Sequence, residues 1–138
     1  MRSMTLTIYT DGGSKGNPGP AAIGVAMYLD GTKLEFYRED LGIATNNVAE
    51  YTAVLRALEK AVHHKSKGVE FKKIEFKADS LLVVSQLNGV YKIKNPTIRD
   101  FIIKIRILES ELNVPISYTH IYREDNTVAD ALVNNAAV

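Results

Sequence analysis

The sequence predicts an α/β fold: one mixed sheet with helices on its faces. Three β-rich runs come first, two of them joined by an Asp-Gly pair that marks a tight hairpin. Two more β-rich runs follow, each reached through segments whose apolar residues recur at helical spacing. Consecutive strands pair antiparallel and strands joined through a helix pair parallel, so both kinds of pairing are expected in a single sheet.

The first strand is read over Leu6–Thr10. The run GGSKGNPGP then forms a turn of residues that tolerate unusual backbone angles. Ala22–Leu29 and Lys33–Leu41 are the second and third strands, with Asp30-Gly31 as the hairpin. Asn46 or Asn47 is expected to cap a long helix carrying Val48, Tyr51, Leu55, Leu58 and Val62, which runs to about Lys65 and stops near Gly68. Ile74–Ala78 is the fourth strand, and Ser80–Leu87 a short helix ended by Asn88-Gly89. After Pro96, Ile98, Ile102, Ile105, Leu108 and Leu112 form the apolar stripe of another helix, which Pro115 closes off. Ile116–Ile121 is the fifth strand and Asn126–Ala137 the last helix.

A chain of 138 residues suits one domain, 1–138, able to bury roughly two-thirds of its unfolded surface. There are no cysteines, which excludes disulfides and thiolate metal sites and fits a cytoplasmic location. No apolar run approaches the roughly 18 residues of a membrane span, and the N-terminus has no signal-peptide pattern, Met1–Ser3 reading as a short disordered lead. Net charge is +1, so any nucleic-acid binding must come from a local patch. The expected state is a monomer.

Four acids fall at the ends of predicted elements: Asp11 and Asp79 after the first and fourth strands, Glu50 in the first turn of the long helix and Asp130 in the last helix. If those two strands are adjacent and parallel, Asp11 and Asp79 emerge from one sheet edge, where ligands of α/β sheets gather. Glu50 and Asp130 also suit helix N-termini for dipole reasons alone. Converging carboxylates repel and lose hydration, so a set of four implies divalent cations, and all-oxygen ligands suit Mg²⁺ or Mn²⁺ over zinc. Ser14 and Ser80 lack a positioned histidine in the local pattern, which argues against a serine nucleophile.

The runs TDGGSKGNPGP, TNNVAEYTAVLRAL, ADS and N-x-x-A-D-x-L, in this order, resemble ribonuclease H of type 1 over Leu6 to Ala137. The resemblance implies a five-stranded mixed sheet of order 3-2-1-4-5 and hydrolysis of the RNA strand of an RNA/DNA hybrid with two Mg²⁺ ions, giving 5′-phosphate and 3′-hydroxyl ends. Mn²⁺ is expected to substitute, and double-stranded RNA is left open as a second substrate. Asp11 would bridge both ions, Glu50 and Asp79 would complete one site and Asp130 the other. The loop THIYREDN resembles the H-x-P-R-E-x-N of some members but carries Tyr122 in place of the proline. Both His120 and Arg123 are candidates for the loop role; Arg123 is favoured, to hold a phosphate, because arginine is no general base near neutral pH.

By the same resemblance Asn17, Asn46, Asn47 and Gln86 would grip the minor groove and read the 2′-hydroxyl, with Gly12, Gly13 and Gly16 allowing close backbone approach. Asn17 and the Asn46–Asn47 pair have turn and cap roles as alternatives. No long basic insertion is present. Lys92 and Lys94 lie in a stretch, Asn88–Arg106, whose cations suit the phosphates of the DNA strand, a solvated helix face being the alternative. His63 and His64 read as solvated surface. A hybrid- or RNA-binding module without catalysis and another polynucleotidyl-transfer enzyme of the superfamily are the competing readings. All four carboxylates argue against the first; the TNN-x-x-E and GNPGP runs together, with no extra domain, argue against the second.

Overall fold

The computed structural model describes residues 4–137, so the Met1–Ser3 lead lies outside the described residues. The strands are β1 (Thr5–Ser14), β2 (Gly19–Leu29), β3 (Thr32–Ala44), β4 (Lys73–Ala78) and β5 (Ile116–His120). The helices are α1 (Asn46–Ser66), α2 (Leu81–Leu87), α3 (Pro96–Leu112) and α4 (Thr127–Val133), with a 3₁₀ turn at Arg123–Asp125. The sheet order is β3-β2-β1-β4-β5, antiparallel across β1–β2–β3 and parallel across β1–β4–β5. This is the expected mixed sheet.

Period-two alternation sends Leu6 and Ile8 of β1, Val25 and Met27 of β2, and Ile74 and Phe76 of β4 into one core. α1 covers that face with Tyr51, Val54, Leu58 and Ala61, and α3 adds Ile98, Ile105 and Leu112 from its stripe. Asp30 and Gly31 both take positive φ, 48° and 83°, as the predicted hairpin requires. Among the described residues no helix is long and apolar enough to cross a membrane.

Two close approaches position the functional end of the sheet. A Cβ on Gly12 would stand 2.4 Å from the Ala49 backbone, so glycine there lets α1 settle against the end of β1. A Cβ on Gly24, the residue paired with Asp11, would stand 2.3 Å from the Ala129 carbonyl oxygen. Glycine at that position is what admits α4 to the opposite face.

Several boundaries differ from expectation. Asp11 lies within β1 rather than after it, because pairing with β2 continues to Ser14↔Ala21. The cap of α1 is Thr45, whose Oγ1 accepts from Val48 N at 3.2 Å, so Asn46 and Asn47 are already helical. Glu50 is accordingly one turn into the helix, beyond the first turn where the dipole acts most strongly. Helix α4 ends at Val133 instead of Ala137, with Asn135 in the left-handed region at φ 54°. His64 is not solvated surface: its Nε2 lies 2.9 Å from Glu35 Oε1 and its side chain is only 19% exposed. His63 is exposed as expected.

Candidate active site

The β1–β4 register pairs Thr10 with Ala78, so the next residue on each strand, Asp11 and Asp79, leaves the same sheet edge side by side. Glu50 comes down from α1 over Gly12. Carboxylate oxygens of Asp11, Glu50 and Asp79 all lie within 4.8 Å of one another. The Gly12 N–H donates to Asp11 Oδ1 at 3.0 Å and to Glu50 Oε1 at 2.5 Å. One backbone amide thus serves two acids.

These acids sit in a poor medium for charge. Asp11 is 3% exposed and Glu50 8%. Burial first, then repulsion from Asp79 and Asp130, pushes Asp11 from 3.8 up to about 6 despite its hydrogen bond with Glu50. Burial, then the charge of Asp11, pushes Glu50 well above 4.5. Asp79 Oδ2 is buried with no hydrogen-bond partner among the described residues. A buried carboxylate oxygen with no hydrogen bond and only a 3.7 Å ion pair to Arg123, beside two acids held against their ionisation, is costly in a stable fold unless a metal cation completes it. The donor set is all oxygen and fits Mg²⁺ or Mn²⁺.

Asp130, in the first turn of α4, stands outside that tight group and is 32% exposed. Arg123 links it to the others: Nη1 lies 3.2 Å from Asp130 Oδ1 and Nε 3.7 Å from Asp79 Oδ2. The guanidinium is 71% exposed, free to face a ligand. Tyr122 precedes the 3₁₀ turn at φ −76°, ψ 154°, angles that a proline would also adopt. Asn126, 1% exposed, fastens this loop to the sheet by donating from Nδ2 to the Thr10 carbonyl at 3.0 Å.

All four acids open into one cleft of about 760 Å³. Gly12, Gly13, Asn46, Asn47 and Arg123 line it too. Asn17 does not line it but braces it: its Oδ1 accepts from Asn46 N at 3.0 Å, and Asn46 Oδ1 accepts from Ser14 N at 2.9 Å. The turn after β1 and the start of α1 are thereby tied together. His120 lies off the cleft wall, its ring edge-on to Tyr122 at 6.1 Å. The Gln86 side chain accepts from the Tyr51 hydroxyl, and Lys92 and Lys94 are exposed between α2 and α3. None of these last three lines the cleft. Sequence reasoning passed over Lys15, Arg38 and Asp40, which do. No motif marks them; Arg38 and Asp40 look like ordinary outward residues of a strand.

Residues 9–136 match the family model described as reverse transcriptase-like. Ribonuclease HI of Halobacterium salinarum is 41% identical over 129 residues, 93% of this chain and 62% of that protein. A bifunctional protein of Mycobacterium tuberculosis is 38% identical over 135 residues, 96% of this chain, but the chain spans only 35% of that relative's length. Among solved structures, LC11-RNase H1 in complex with RNA/DNA hybrid superposes with a TM-score of 0.88 at 44% identity, covering 95% of each chain. The RNase H1 of H. salinarum gives 0.86 at 39% identity, covering 96% of each.

Proposed function

This chain belongs to the type 1 ribonuclease H family, and on that premise we propose that it is an endoribonuclease that hydrolyses the RNA strand of RNA/DNA hybrids, leaving 5′-phosphate and 3′-hydroxyl ends. The observation that carries the reading is the meeting of Asp11, Glu50 and Asp79 within 4.8 Å, with a buried Asp79 oxygen that, among the described residues, accepts no hydrogen bond. A pure binding module has no use for so costly an arrangement.

In this reading Asp11, Glu50 and Asp79, with Asp130 beside them, would hold two divalent ions. Such ions supply activation of the attacking water and charge neutralisation on the phosphate and leaving oxygen. The protein's own residues do the rest. Gly12 N–H fixes Asp11 and Glu50 relative to each other, so the pocket is organised before substrate arrives. Arg123, exposed and paired with the carboxylates of Asp79 and Asp130, exchanges those partners for a substrate phosphate. Asn46 and Asn47, braced by Asn17 and the Thr45 cap, present amides on the cleft wall, groups able both to donate to and to accept from a ribose 2′-hydroxyl. At Gly13, whose Cβ position is nearly open, the backbone comes close without a side chain in the way.

The test is cleavage of end-labelled RNA/DNA hybrid beside single-stranded and double-stranded RNA, with Mg²⁺, Mn²⁺ or EDTA. Metal-dependent cutting of the hybrid's RNA strand is expected. Cutting of duplex RNA as well would widen the substrate class and keep the chemistry. Tight hybrid binding with no cleavage under either metal would replace this reading with that of a binding module.

A further inference from the structure

The cleft has to hold a polyanion although its ionised walls are net acidic. Of the cations lining it, Arg123 sits between Asp79 and Asp130, where the phosphate being cut is placed. Lys15 and Arg38 line the same cleft from other elements, the turn after β1 and strand β3.

Both are mounted firmly. Lys15 N donates to the Pro20 carbonyl at 2.8 Å, and a Cβ on Gly19 would stand 1.9 Å from the Lys15 carbonyl oxygen, so the turn closes tightly under the lysine. The Lys15 side chain is exposed. Arg38 is 27% exposed, and its guanidinium has more donors than partners. Nη1 pairs with Asp40 Oδ2 at 2.9 Å, Nη2 reaches the Val133 carbonyl at a long 3.5 Å, and Nε is buried with no hydrogen-bond partner among the described residues. Asp40 is 74% exposed, so water competes for that ion pair and it is weak.

We propose that Lys15 and Arg38 form an anion-gripping rim that holds a backbone phosphate of the hybrid away from the one being cut, with Asp40 as the internal competitor that this phosphate displaces. The proposal rests on the hybrid-cleaving reading and names two further substrate-binding residues for it. A phosphate offers Arg38 two parallel hydrogen bonds, where the exposed Asp40 carboxylate engages Nη1 alone.

Binding is measured by fluorescence anisotropy of a labelled RNA/DNA hybrid in the uncleaving Asp11→Asn background, across a salt series with Mg²⁺ present. Arg38→Gln and Lys15→Gln are each expected to weaken binding about fivefold and to reduce the salt slope by about 1, the signature of a lost phosphate contact. Arg38→Lys should recover part of the loss. Asp40→Asn should tighten binding with Arg38 present and have no such effect in the Arg38→Gln protein, since it acts through Arg38. In the active enzyme the Arg38→Gln change should raise KM more than it lowers kcat. An unchanged salt slope overturns the proposal, even if melting temperature falls, because that is a structural effect only. Equal tightening by Asp40→Asn with and without Arg38 also overturns it. A parent protein that cuts hybrid while these variants bind normally refutes the rim alone; a parent that neither binds nor cuts hybrid refutes the rim and the ribonuclease reading together.

Discussion

Replacing Asp11 with asparagine should abolish cleavage and, in chelator, make the protein more stable. Asp11 is 3% exposed, and its folded pKa lies at about 6 against 3.8 for the free group. A folded pKa above the unfolded value means that the native state binds the extra proton between those limits. Stability is therefore lost as pH rises from about 4 through about 6, and the loss is complete above that. The gap from 3.8 to about 6 corresponds to about 3 kcal/mol of native-state penalty at pH 7.5. The amide removes this penalty and can still accept the Gly12 N–H bond through its oxygen. It also removes a charge that helps to push Glu50 up, which acts in the same direction. For a domain of this size the gain is a rise in Tm of roughly 10 °C. The assay is thermal or urea unfolding of both proteins in EDTA at pH 4 and pH 7.5. Comparing the two at each pH cancels the background from acids such as Glu35: burial raises that group, but Lys60 and His64 outweigh it, so its folded pKa is lowered and its contribution is lost toward low pH. The stabilisation should be small at pH 4, about 0.5 kcal/mol, and full at pH 7.5. No gain at pH 7.5, or the same gain at both values, would refute the claim that the cleft stores carboxylate repulsion.

Other consequences are open to direct measurement. Arg123→Ala should lower kcat on a hybrid by about a hundredfold, as for loss of one preorganised electrostatic group, while His120→Ala, off the cleft wall, should do less; the reverse order would show the loop role to be misassigned. Gly24→Ala should destabilise by about 1–3 kcal/mol through overpacking and cut activity beyond that, because its Cβ meets the Ala129 carbonyl in the helix carrying Asp130; urea unfolding with kinetics at full folding separates the two effects. Thr45→Ala should cost about 1 kcal/mol by removing the α1 cap, and it should raise KM for hybrid as the braced Asn46 and Asn47 loosen.

Most of what was legible in the sequence is short-range chemistry. The Asp-Gly hairpin, the Asn-Pro turn, Pro96 at the start of α3 and the apolar stripes depend on neighbours within a few residues, and they place the elements within a few positions. The four carboxylates stood out because each lies in a distinctive run at an element end. Choices between adjacent residues were not legible. Thr45 caps α1 rather than Asn46 or Asn47 because it is the residue with extended backbone, φ −83° and ψ 163°, and that leaves the two amides for the turn and the cleft. The stop of α4 at Val133 follows from Asn135 entering the left-handed region, where local alternatives differ by little energy.

By itself the sequence determined which groups could do the chemistry; only the tertiary structure decided which of them share a volume. The Thr10↔Ala78 register puts Asp11 beside Asp79, the bare Gly12 brings Glu50 within reach, and Gly24 lets α4 carry Asp130 to the same cleft. Arg38 and Lys15 enter it for the same reason, and Gln86 is spent on Tyr51. Each outcome depends on strand pairing and helix packing between residues far apart in the chain, and no local pattern encodes where such surfaces meet.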